Sequence, residues 1–82
     1  LVTIAQNVFP KFHQTIIDDT KGLSNREIIT CILIRFKFIP SEIAVLTNNS
    51  YQQITNLKST INKKLFDKKG AKTLDSNLMS LK

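Results

Sequence analysis

Three helix-start signals stand in series in this chain, at Ser24, Pro40 and Ser50, and they limit its folds more than any other feature. Ser24 with Glu27 and Ser50 with Gln53 have the spacing of capping boxes. In such a box the serine oxygen accepts from the amide three residues on, and the Glu or Gln side chain returns to the serine N–H. Leu23 and Ile28 occupy the two positions of a hydrophobic staple around the first box. Pro40 suits a first-turn position, where its missing N–H is no loss, and Glu42 lies near the positive end of the helix it opens. The run Ile28 to Ile34 is rich in β-branched residues, and propensity alone permits a buried strand. The box ahead of it and the continuation to Phe36 favour a helix buried on most sides.

The expected order is therefore a buried helix, a short helix, a polar turn over Thr47-Asn48-Asn49-Ser50, and a longer helix from about Tyr51 to Leu65. The short helix is expected to turn Ile43, Ala44, Leu46 and Thr47 inward. On the longer one, Ile54, Leu57, Ile61 and Leu65 form a narrow apolar stripe. Gln52, Asn56, Ser59 and Lys63 fall opposite it, with Thr55 at the flank. Before these elements, Pro10 opens a helix carrying Phe9, Phe12, Ile16 and Ile17, which ends near Asp18 to Gly22. Residues 1–7 read as the remnant of an upstream connection or helix. After them, Gly70 interrupts behind Lys68-Lys69, and Leu74, Leu78 and Leu81 mark a last helix. The fold class is all-α, a wingless helix-turn-helix domain of four to five helices. Residues 1–22 are expected to connect it to an upstream region, and residues 23–82 to form the domain itself.

Size and composition exclude much else. A chain of 82 residues buries about 60% of its unfolded surface and supports one small core. A hydrophobic share of 41% argues against disorder, and a single Cys excludes a disulfide framework. The longest apolar run is far short of the 18 or so residues of a membrane helix, so no membrane is expected for this segment and a cytoplasmic setting is. His13 lacks a partner at ligand spacing and reads as a surface or packing residue. Cys31 reads as a buried small hydrophobe, and the adjacent Asp18 and Asp19 point about 100° apart on a helix, poorly placed for paired-carboxylate catalysis. An enzyme is not expected, nor a cofactor or a metal.

The net charge is +6, and its location is more informative than its size. Residues 58–72 hold Lys58, Lys63, Lys64, Lys68, Lys69 and Lys72 against Asp67 alone, while residues 1–30 balance. Such clustering suggests a polyanion, although a solvated lysine face has the same composition. A helix that reads DNA divides its labour. Asn and Gln pair with adenine edges, Ser and Thr bond to several bases, and lysines hold phosphates without reading sequence. On that division Gln52, Thr55, Asn56 and Ser59 are the base-edge candidates. Ser50, Lys58, Lys63, Lys64, Lys68 and Lys69 are the phosphate candidates. Lys58 sits at the edge of the apolar stripe, from which it can snorkel to phosphate or to water. Tyr51 can touch a sugar-phosphate or close the turn.

Leu23-Ser24-Asn25-Arg26-Glu27, Glu42-Ile43-Ala44, Ser50, Ile54, Asn56, Ile61 and Lys64-Leu65 resemble the LuxR/GerE-type DNA-binding domain. The resemblance spans about residues 23–81, with no gap through Leu65. Phe9-Pro10-x-Phe12, Thr47-x-x-Ser50, Lys58 and Leu65-Phe66 look like the version that ends tetratricopeptide-repeat or hybrid sensor regulators of Bacteroidetes. The resemblance implies sequence-specific binding of double-stranded DNA as the output domain of a transcriptional regulator, usually a homodimer, behind an upstream sensor or repeat domain. Gln52, Thr55, Asn49, Leu57 and Ile39 depart from the family's usual residues, and the early recognition-helix lysines are missing. Two other readings stand beside this one: a helical protein-interaction or dimerisation module, and a sigma-factor-like promoter-binding domain.

Overall fold

A computed structural model describes residues 2–81. All regular structure among them is helical: α1 (Val2–Val8), α2 (Pro10–Ile17), a single 3-10 turn (Asp19–Lys21), α3 (Asn25–Arg35), α4 (Pro40–Leu46), α5 (Tyr51–Phe66) and α6 (Leu74–Met79). There are six α-helices among the described residues, where four to five are expected, because the N-terminal segment forms a helix of its own ahead of Pro10. None of the helices is long and apolar enough to cross a membrane.

Both capping boxes form. The Ser24 N–H donates to Glu27 Oε1 at 2.8 Å and the Glu27 N–H to Ser24 Oγ at 3.2 Å. The Ser50 N–H donates to Gln53 Oε1 at 2.7 Å and the Gln53 N–H to Ser50 Oγ at 3.1 Å. At α4 only half a box exists: the Ile39 N–H donates to Glu42 Oε1 at 3.0 Å, and Ile39 has no side-chain oxygen with which to answer. At the other end of α5, Asp67 adopts a left-handed conformation (φ 55°) and its N–H bonds to the Lys63 carbonyl at 3.1 Å. The helix thus stops ahead of Gly70, whose φ of 80° bends the following loop instead.

The core is built around α3, which buries Thr30 to Ile34 without a break. Ile43 and Ala44 of α4, Ile54, Ile61 and Leu65 of α5, and Leu74 and Leu78 of α6 close over it. Leu46 does not join them and is 60% exposed, contrary to expectation. At 100° per residue it lies about 110° from the middle of the Ile43–Ala44 face, whereas Thr47 comes back near that middle. Phe12 and Ile16 of α2 are fully buried in the same core. Helix α2 therefore packs as part of the same core. The Arg35 guanidinium ties this end together, lying 3.9 Å over the Phe9 ring and donating to Met79 Sδ at 3.2 Å. His13 is buried and serves packing.

Candidate nucleic-acid interface

The stretch α4, Thr47 to Ser50, α5 is a short helix, a polar turn and a long helix. The turn is locked from within. Thr47 Oγ1 donates to the Ile43 carbonyl at 2.6 Å, Asn49 Nδ2 donates to Thr47 Oγ1 at 2.8 Å, and Asn48 takes a left-handed conformation (φ 56°). Ser50 then caps α5, which leaves only its hydroxyl hydrogen for an outside acceptor.

Beyond the cap, α5 buries Ile54, Ile61 and Leu65 and half-buries Leu57. Gln52 and Asn56 stand exposed on the opposite side and are joined to each other, Gln52 Nε2 donating to Asn56 Oδ1 at 3.0 Å. In this arrangement each amide keeps one end facing outward. Gln52 Oε1 is left as an acceptor and Asn56 Nδ2 as a donor, the two functions that pair with adenine N6 and N7 respectively. Thr55 at the flank and Ser59 are both half-buried, and Thr55 Oγ1 donates to the Tyr51 carbonyl at 3.2 Å. Of the four base-edge candidates, the structure thus brings two together on the open face. Tyr51 is 61% exposed beside them.

The lysines separate more sharply. Lys58 is 9% exposed and its Nζ lies 3.0 Å from Asp75 of α6. Lys64 reaches back to the start of α3, its Nζ 2.8 Å from Glu27 Oε1 and 3.0 Å from the Gly22 carbonyl. Both are engaged as internal ties between elements. The cause is tertiary, since Glu27 and Asp75 lie far along the chain and meet the lysines only in the fold. Lys63 pairs with Asp67 at 2.7 Å, and both are exposed. An exposed pair of this kind is worth about 0.2–1 kcal/mol, so phosphate can take the acid's place at little cost. Lys68, Lys69 and Lys72 are exposed and make no ion pair among the described residues.

Comparison with known protein families, curated proteins and solved structures finds no match.

Two buried polar residues carry functions that sequence reasoning missed. Glu27 is 3% exposed and Oε2 has no hydrogen-bond partner. Burial opposes its ionisation, but the Lys64 ammonium and the Ser24 N–H overcome that and hold its carboxyl below the ordinary 4.5. Asn62 is fully buried, and its Nδ2 donates to the Gly70 carbonyl at 3.0 Å and to Thr73 Oγ1 at 2.9 Å. Its Oδ1 accepts from Asn77 Nδ2 at 3.0 Å. The only sequence signal for Asn62 is its angular position, about 80° from Ile54 and 100° from Ile61, at the margin of the buried stripe.

Proposed function

We propose that this chain binds double-stranded DNA in a sequence-specific manner and serves as the output domain of a LuxR/GerE-type transcriptional regulator in the cytoplasm. The recognition helix is α5, with its outer face in the major groove and the domain acting as a homodimer on DNA behind an upstream sensor or repeat domain. The observation that carries this reading is the Gln52–Asn56 pair, exposed on one face of a helix whose other face is anchored in the core. Support also comes from the residues of the resemblance, which do structural work at their positions. Ser24 and Glu27 form the first cap, and Ile43, Ala44, Ile54, Ile61 and Leu65 are buried. The unpaired lysines of the following loop supply sequence-independent attraction.

The test is selection of bound fragments from a genomic library, followed by titration of the recovered site. Asn56→Ala should weaken that site by about 1–3 kcal/mol and leave random-sequence DNA unaffected. An equal loss on both kinds of DNA, or no retention of any duplex, defeats the proposal.

A second reading draws on one observation. Ile39, Val45 and Leu46 are 56%, 81% and 60% exposed on and before α4, an apolar surface suited to a protein partner. A protein-interaction module predicts concentration-dependent association that DNA does not alter.

A further inference from the structure

The three lysines of the basic stretch that lie on α5 each have an acidic partner, and the three on the loop after it have none among the described residues. That loop is held firmly by one residue. The Asn62 backbone carbonyl accepts from the Lys68 N–H at 3.3 Å, and its side chain binds the Gly70 carbonyl and the Thr73 hydroxyl. A carbonyl can only accept, so the amide nitrogen must be the end that faces Gly70. Asn77 Nδ2 then completes the set by donating to Asn62 Oδ1 from α6. The three anchored groups are Lys68 itself, the neighbour of Lys69 and the neighbour of Lys72. The Leu74 N–H closes the loop onto the Ala71 carbonyl at 3.3 Å, and the Leu74 side chain is fully buried. A Cβ at Gly70 would meet nothing within 4 Å, so glycine is there for its φ of 80° and not for space.

We propose that residues 68–72 are a preformed phosphate clamp in which Lys68, Lys69 and Lys72 engage the DNA backbone, with Asn62 as the positioning residue that holds them in place. The proposal rests on the DNA-binding reading above. It adds Lys72 as a third phosphate ligand and gives the buried amide a role in binding. A loop ordered before the encounter loses little freedom on binding, which favours affinity without any added contact. Each phosphate neutralised contributes about 0.9 to the slope of log K against log salt, so the clamp accounts for about 2.7 of it.

The experiment is fluorescence-anisotropy titration of the 82-residue chain with a random-sequence DNA duplex over a range of KCl concentrations. Four further proteins are compared with it: K68A/K69A/K72A, Thr73→Val, Asn62→Asp, and Thr73→Val in the triple-alanine background. The triple variant should reduce the salt slope by about 2.7. Thr73→Val removes one anchor at an exposed position and should weaken binding about fivefold, the equivalent of one hydrogen bond. That loss should vanish in the triple-alanine background, because the anchor acts only through the lysines. Asn62→Asp should behave like Thr73→Val but more strongly, and if it fails to fold, Thr73→Val still decides the matter. An unchanged slope in the triple variant overturns the clamp while leaving the DNA-binding reading intact. An equal loss from Thr73→Val in both backgrounds reduces Asn62 to a structural residue and overturns its positioning role. No duplex binding by the parent chain defeats the DNA-binding reading, and the clamp with it.

Discussion

Glu27 shows how much one residue can be asked to do. It closes the α3 cap through the Ser24 N–H and, on the same Oε1, receives the Lys64 ammonium from α5. Folding lowers its pKa, so the native state gives up this proton more readily than the unfolded chain does. The resulting stability is fully present above the ordinary 4.5 and is lost as pH falls through the lower folded-state value. Thermal unfolding from pH 7 down to pH 2 should therefore show an acid arm that flattens in Glu27→Gln. The variant should also melt lower at neutral pH, since it leaves Lys64 without its carboxylate. An acid arm of the same steepness in parent and variant would assign the effect to other carboxylates. One turn further on, burial first and the Glu27 charge second push the Cys31 thiol up to about 12, so it packs as a neutral group. The packing role of Cys31 was legible in the sequence, because it lies inside an apolar run. The ion pair was not, because Glu27 and Lys64 are 37 positions apart and nothing local joins them.

Among the elements, α5 was read most fully. Its start was fixed by Ser50 and Gln53 and its buried face by the stripe from Ile54 to Leu65. Its polar positions were read less well. Lys58 projects about 40° from Ile54 and about 20° beyond Leu65, at the edge of the stripe. A helical projection leaves its burial open; only the fold shows that it is covered and that Asp75 meets its charge. For α4 the error ran the other way. A helix of seven residues offers the core two full positions, and the angle of Leu46 puts it outside them despite its apolar side chain. Two substitutions separate caps from surface. Ser50→Ala should destabilise the protein by about 1 kcal/mol through the lost bond to the Gln53 amide. Leu46→Gln should stay within about 0.5 kcal/mol of the parent, as expected of an exposed position. Urea denaturation followed by circular dichroism measures both, and a loss at Leu46 as large as that at Ser50 would mean that its surface is covered.

At the scale of the whole molecule, the fold redistributes the charge. The sequence places six lysines in one stretch as though they formed a single basic face. In three dimensions Asp75, Asp67 and Glu27 each meet one of them, and the uncompensated part contracts to the loop between α5 and α6. The all-α architecture and the order of the central helices could be read from caps and periodicity, which are local. The contraction of charge depends on contacts between distant segments, and neither composition nor spacing carries those.

The burial of Phe12 and Ile16 has a practical consequence for anyone dissecting this chain. Both lie at 0% exposure against the central helices, and a large side chain so placed stabilises a small protein by about 2 kcal/mol. A fragment trimmed to residues 23–82 would keep every signal of the helix-turn-helix and yet expose the floor on which it rests. Such a fragment should bind the dye ANS and melt without a cooperative transition while keeping most of its far-ultraviolet helicity. Sharp, dye-free melting of the fragment would show instead that the first 22 residues are dispensable. On the former outcome the smallest autonomous folding unit includes α2, upstream of Leu23 where the helix-turn-helix motif begins.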